Sequence, residues 1–328
     1  MNKLIIILSL LVINTSNSQD LVFGNFFNSA IYSNAAFTGA VFDSSKDNSS
    51  RIQMSYRNQR IGQSLNVFQS NFLSYDQAIP KSNGNIGAYF ISDRLGINGI
   101  FHSSQANVTY SYFTPFNKKG LTGRYGLSVG LKNQGIDLGE LKFEDQIDYR
   151  AGVVRNSNEI ISGNNITKVD VNAGALIHNQ RFFLGLSMHN VTKPNFDYIG
   201  QNDNYISRRN SIQIGKLIRL GNRSNSLLPI VSLTKQGKYT QSNFSISLNA
   251  NSFSIGSGIR NTMNRYNNIS SSNFFVGLKN GKYKFRYMYE TNFSNNKIFF
   301  APTHEISILV NFTTAKTNNN QNNFLMSY

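Results

Sequence analysis

The sequence predicts an all-β, transmembrane antiparallel β-barrel of about fourteen strands with an N-terminal plug-like segment. Three observations carry that expectation. Past residue 50, apolar residues recur at every second position between turn residues, which is the period of a strand. The positions between them are Asn, Ser, Gly, Lys and Arg; the chain has 47 Asn, 39 Ser and 25 Gly, and only 15% of it is charged. No window beyond the N-terminus is apolar enough for a spanning helix, so a membrane location requires strands closed into a barrel.

Residues 1–18 read as a signal peptide. Lys3 precedes the apolar run 4–13, and a short polar stretch leads to Ser18, the layout of a secretory signal. The run is about half the ~20 residues a spanning helix needs. Cleavage is expected between Ser18 and Gln19, with no Cys following to carry a lipid. Removal takes Lys3 and no acid, lowering the net charge from +16 to +15. Such an excess suits an acidic partner or anionic lipid head groups. Nucleic acid does not suit an exported chain whose basic runs, such as Arg208-Arg209, are no longer than two residues.

Residues 19–50 carry Phe23, Phe26, Phe27, Ile31, Tyr32 and Phe37 among Asn and Ser, with no clean period. They are expected to cap or plug the lumen, because a free aromatic-rich arm would expose an apolar patch to water.

The outer-membrane barrel is expected over residues 51–312. Its strands are placed at 51–60, 66–78, 84–94, 101–114, 121–134, 168–178, 181–191, 207–220, 227–236, 241–250, 253–263, 270–279, 282–292 and 303–312. In the last hairpin, for example, Tyr283, Phe285, Tyr287 and Tyr289 alternate with Lys282, Lys284, Arg286 and Met288. An even strand number, one apolar face and one small polar face describe an outer-membrane barrel. A soluble sandwich would show the same alternation, but its polar face would be more charged and its apolar face less rich in Phe and Tyr.

Connections and turns supply a second line of argument. The long connections 135–167, 192–206 and 293–302 follow strands five, seven and thirteen, so all three share one end, the external one if both termini are periplasmic. Two-residue turns are expected at Asn179-Gln180, Asn251-Ser252 and Asn280-Gly281. They set Leu248 against Ile255, Ser247 against Gly256, and Leu278 against Tyr283, and no pair mixes the two faces. Residues 313–328 are an Asn-rich C-terminal tail with little to bury.

The chain excludes several chemistries. With no Cys, there are no disulfides, thiolate metal sites or cysteine nucleophiles, and the four His are spread over positions 102, 178, 189 and 304. The turn at 179–180 would place His189 opposite Asp170 in the lumen, but a hydrolase also needs a nucleophile and an oxyanion site. Ser187, about 7 Å along the strand, is not placed to serve. Glu140, Glu144, Asp145 and Asp148 gather in the longest loop without the spacing of a calcium loop. No catalytic, metal or cofactor site is therefore expected. Lys279, Lys282, Lys284 and Arg286 cluster near a predicted periplasmic turn on the lumen side, where an acidic polypeptide could dock.

Ordered fragments of the chain resemble PorP/SprF-type proteins. They include Gln19-Asp20, Phe26-Phe27-Asn28 and Tyr32-Ser33-Asn34-Ala35-Ala36-Phe37-Thr38-Gly39. Others are Ser55-Tyr56-Arg57-Asn58-Gln59, Ser74-Tyr75-Asp76, Ile86-Gly87-Ala88-Tyr89 and Asn107-Val108-Thr109-Tyr110-Ser111-Tyr112. Leu127-Ser128-Val129-Gly130-Leu131, Phe143-Glu144-Asp145-Gln146-Ile147 and His304-Glu305-Ile306-Ser307 complete the set. Two departures stand out: Asn34-Ala35-Ala36 replaces the usual Asn-Pro-Ala, and the tail runs past the final aromatic, Phe312. The resemblance implies a noncatalytic outer-membrane barrel of the type IX secretion system, without cofactor, that helps secrete, dock or retain a large surface protein, adhesin-like or gliding-related. Expected partners are outer-membrane lipid, that acidic or adhesin-like client and other type IX components. Tyr149, Phe196, Tyr198 and Tyr205, in or near the long loops, are the aromatic anchors such a client would use. A porin or small-solute channel and an outer-membrane hydrolase are the alternatives.

Overall fold

The computed structural model describes residues 20–313 apart from 21–22, 25, 41–48, 62–65, 80, 97–98, 117–119, 138–146, 149–151, 154–164, 199–203, 222–224, 264–267 and 294–301. The expected signal peptide, the tail beyond Thr313 and most of the acidic loop lie outside the described residues. Fourteen long strands run antiparallel: β1 Ser49–Ile61, β2 Asn66–Ala78, β3 Gly84–Leu95, β4 Phe101–Pro115, β5 Thr122–Ile136, β6 Asn165–His178, β7 Phe182–His189, β8 Arg209–Lys216, β9 Asn225–Gln236, β10 Tyr239–Ala250, β11 Phe253–Met263, β12 Asn268–Asn280, β13 Tyr283–Asn292 and β14 Thr303–Thr313. Each pairs with its sequence neighbours, and β1 pairs with β14, so the sheet closes into a barrel without an edge.

The differences from expectation are local. After Lys216, β8 breaks at Leu217 and resumes over Ile218–Arg219; the Leu217 N–H donates to the Arg181 carbonyl at 2.6 Å while its side chain is buried. A small two-stranded ribbon, Ile147–Asp148 with Gly152–Val153, stands in the loop after β5.

Turn chemistry explains which registers hold. Across Asn251-Ser252, Leu248 faces Ile255 and Ser247 faces Gly256, as expected. The turn expected at Asn280-Gly281 is instead Gly281-Lys282: Asn280 joins β12 opposite Tyr283, and Leu278 faces Phe285 rather than Tyr283. In both turns, and in Gly237-Lys238, the first loop residue has positive φ (51–55°). Gly and Asn are the residues that adopt that conformation readily. Gly281 therefore takes the first loop position and pushes Asn280 into the strand. At the β6–β7 turn, the Asn179 side chain accepts from the Arg181 and Phe182 N–H groups at 2.7 and 2.9 Å. That widens the turn, and His178 pairs with Phe183. Both corrections move partners by two residues, so the side chains within the paired strands keep their faces.

Burial sorts the two faces. Arg51, Gln53, Ser55 and Arg57 of β1 are buried, while Met54 and Tyr56 between them are exposed. The exposed set on other strands includes Leu127, Val129, Leu131, Phe274, Phe285 and Tyr287, an apolar outer wall. Most of the buried apolar residues instead lie inside the barrel, where Phe23, Ala30–Tyr32, Ala36 and Phe37 meet inward-facing residues. In one cluster Phe37 meets Phe183 edge-on at 5.5 Å; in the other, Phe23, Tyr32, Phe72 and Tyr89 pack ring to ring. Fully burying one such ring contributes about 1.5–3 kcal/mol, against about 0.5–1.5 kcal/mol for a typical net hydrogen bond. Burial of the rings therefore outweighs any single hydrogen bond in seating the described residues of this segment.

Candidate functional site: the lumen

The segment from Asp20 to Ala40 folds as two short 3-10 turns and one helical turn, Phe26–Ser29, Ala30–Ser33 and Ala35–Phe37. Asn34 anchors the last turn, with alanine and not proline at residue 35. Its side-chain oxygen accepts from the Ala36 N–H at 2.9 Å and caps the last turn. Its amide nitrogen donates to the carbonyls of Ala175 and Leu186 and to Gln213, at 3.1–3.3 Å. Close approach to the wall requires glycine. Gly126 and Gly174 face each other on β5 and β6; a Cβ at Gly126 would lie 2.3 Å from the Ala35–Ala36 backbone, and one at Gly174 2.0 Å from the Asn34 side chain.

Several backbone groups of the segment are matched around the barrel. The Ser33 carbonyl accepts from Ser187 at 3.0 Å and faces His189 Nε2 at 3.1 Å. The Thr38 carbonyl accepts from Ser111 at 2.6 Å and Arg124 at 3.0 Å. Gly39 N–H donates to Asp76 at 2.8 Å, and Arg51 holds that carboxylate with two bonds of 2.8 Å. On β14, the strand beside β1, Glu305 accepts from the Gly24 N–H at 2.9 Å and the Asn28 amide at 2.6 Å.

Buried charge supports this arrangement. Arg57 bridges Glu290 and Glu305 at 2.9 and 3.1 Å, and Arg260 adds a second bond to Glu290 at 3.1 Å. Arg260 also donates to the Phe23 carbonyl at 3.0 Å, tying the network to the segment. Arg209 donates to the Tyr32 hydroxyl at 2.8 Å, with its guanidinium 4.7 Å from that ring's centroid. Asp20 is held by Lys132, Asn190 and Gln236. Burial works to raise its pKa, but Lys132 and Arg209 outweigh that and hold the carboxylate well below the usual range.

The expected His189–Asp170 pair does not form. The wider Asn179 turn leaves Asp170 with Gln105 and Asn172 as donors, while His189 turns to Ser33. Among the described residues no group of three or more His, Asp or Glu could hold a metal ion.

The expected partner residues do not converge. Tyr149 lies outside the described residues. Phe196 is fully buried beneath its loop, where the Asn204 amide donates to its carbonyl at 2.6 Å, so it is not a free anchor. Tyr205 is exposed, and Tyr198 lines a cavity at the loop-bearing end. At the opposite end Lys279 faces Lys284, and Arg286 donates to the Asn28 side chain at 3.0 Å. Lys282 departs from the expected lumen side: its ammonium lies 5.3–5.4 Å from the ring centroids of Tyr283 and Phe312, both on the outer wall.

The cavity that Tyr198 lines measures about 470 Å³ and has Asp20 and Tyr32 among its walls. Sequence reasoning missed it, because most of its wall residues come from β2, β3, β4 and β5 and only the registers bring them together.

The family described as type IX secretion system membrane protein PorP/SprF matches residues 15–310. No curated protein matches the chain. Among solved structures, outer membrane protein Omp33 of Acinetobacter baumannii is 6% identical, covering 81% of this chain and 99% of that one at a TM-score of 0.47. CdiB from Acinetobacter baumannii is 10% identical, covering 80% and 60% at 0.45. A mutant of the monoaromatic hydrocarbon channel TodX is 9% identical, covering 87% and 94% at 0.49. At these identities and scores they assign no function.

Proposed function

Because the chain belongs to the PorP/SprF family of type IX secretion system membrane proteins, we propose that it is a noncatalytic outer-membrane barrel that helps secrete, dock or retain one large surface protein, adhesin-like or gliding-related. The observation that carries this reading is the Asp20–Ala40 segment, bonded to inward-facing groups from β1 to β14. An inner face spent on holding polypeptide suits a plugged dock better than a water-filled solute channel. The net charge of +15 expected after removal of residues 1–18 favours an acidic client, steering it at a rate that falls with ionic strength. Tyr198 and Tyr205 offer aromatic contacts at the loop-bearing end, and Lys279, Lys284 and Arg286 offer cationic ones at the other.

Deletion of the gene tests the proposal. One or a few large surface proteins should disappear from the cell surface while other type IX cargo still leaves the cell. Arrest of all type IX export would make the protein part of the core translocon. Normal display with altered small-solute uptake would replace the docking reading with a channel.

A further inference from the structure

The 470 Å³ cavity at the loop-bearing end is built from consecutive transverse rows of inward-facing residues. The outermost row is apolar: Leu95 at the end of β3 faces Phe101 at the start of β4, which faces Ile136 at the end of β5. One inward-facing step deeper, about 6–7 Å along the strands, the row is polar: Ser70, Asp93, Ser103 and Gln134 stand side by side. The collar sets apolar groups directly on a polar row, and apolar groups return one step deeper, at Phe72 and Ile91.

Charge decides what the collar admits. The charged lining groups are Asp20, Asp93 and Lys132, with His102 as a further imidazole facing the Asn165 side chain at 2.7 Å. Lys132 is committed to Asp20. Ser70 hydrogen-bonds Asp93, yet Asp93 Oδ1 is buried with no hydrogen-bond partner among the described residues. An anionic group thus lies beneath an apolar collar without a dedicated cation. The matching occupant has an apolar stem and a cationic end, as Arg and Lys side chains have. Arg fits better, because a guanidinium is more weakly hydrated than an ammonium, stacks on aromatic faces such as Phe101 and binds carboxylates through a planar fork.

We propose that this cavity receives an arginine side chain of the exported client, its stem against Leu95, Phe101 and Ile136 and its guanidinium on Asp93. The inference rests on the docking reading above and names the chemistry of one contact. A client acidic overall can still present one such residue.

The test uses the purified full chain in detergent and a short acetylated, amidated peptide, Gly-Arg-Gly, with citrulline and Glu versions of it. Calorimetry should show the Arg peptide binding at least about tenfold more tightly than its uncharged citrulline isostere, equivalent to about 1.4 kcal/mol, and the Glu peptide not at all. Asp93→Asn should remove the Arg-over-citrulline preference. Phe101→Ser should weaken both peptides. If Asp93→Asn does not give a folded, heat-modifiable band, Leu95→Arg replaces it, and a guanidinium supplied from the rim should exclude the peptide. Equal binding of Arg and citrulline peptides, no binding at millimolar peptide, an unchanged preference in Asp93→Asn, or unchanged binding in Leu95→Arg would each overturn the proposal. Normal client display in a strain carrying Asp93→Asn would also sink it while leaving the docking reading intact. Normal client display in the gene deletion would sink the docking reading itself.

Discussion

Gly126 and Gly174 stand directly opposite each other on β5 and β6, and together they leave the wall bare where Asn34–Ala36 crosses it. A side chain at either position meets backbone or a buried amide that cannot move without releasing the segment. Gly126→Val should therefore displace Asp20–Ala40 from the wall while the barrel still closes, since no strand pairing depends on that side chain. Limited proteolysis would show new cleavage within 20–40 beside an intact heat-modifiable barrel. Unchanged protection would mean that the segment is not seated on these glycines.

The Arg57 network gives a stability prediction. Removing one partner of a buried charge cluster leaves the others uncompensated and typically costs about 3–5 kcal/mol. Arg57→Ala strands Glu290 and Glu305, although Arg260 still reaches Glu290. The midpoint of urea unfolding should drop accordingly, and adding Glu305→Gln should recover part of the loss. A loss no larger than that of an exposed pair would place the network in contact with water.

Asp20 provides a pH prediction with a definite sign. Its folded pKa is held below that of an unfolded carboxylate, near 3.9. The stability it contributes is therefore present above about pH 4 and lost as pH falls through the folded value. The difference in segment protection between wild type and Asp20→Asn should be flat from pH 8 to pH 5 and shrink only below pH 4. A difference that faded near neutrality would contradict the assignment.

The outer wall gives a fourth. Ile246 sits mid-strand on β10, opposite Pro229 and Ser257 on the neighbouring strands and on the same face as Leu248. Ile246→Arg should cost about 2–4 kcal/mol in a folding assay into lipid, the range for a basic residue at the midplane of a barrel wall. Ile246→Leu should be close to neutral. Equal effects of the two changes would put residue 246 near an interface.

Strand number and facing were legible in the sequence because each strand advertises its own alternation, as in Phe244, Ile246 and Leu248 between Ser245 and Ser247. Registers were legible only where turn length was unambiguous. Asn251-Ser252 read correctly, while Gly281 took the left-handed position expected to be shared with Asn280, and the Asn179 side chain enlarged its own turn. The N-terminal segment has no period because its partners come from many strands, so neighbours in sequence face different walls. The cavity was illegible for the same reason. Leu95, Phe101 and Ile136 form a row only after two hairpin registers are fixed, and nothing near Asp93 in sequence marks one of its carboxylate oxygens as unpaired.

The central claim is that the lumen holds polypeptide rather than an open water path. Single-channel conductance of the purified barrel in a planar bilayer, with and without residues 20–40, tests it most directly. The account predicts a silent wild-type barrel and steady, porin-like conductance once the segment is removed. Steady conductance from the intact chain, unchanged by the deletion, would contradict it and favour a solute channel.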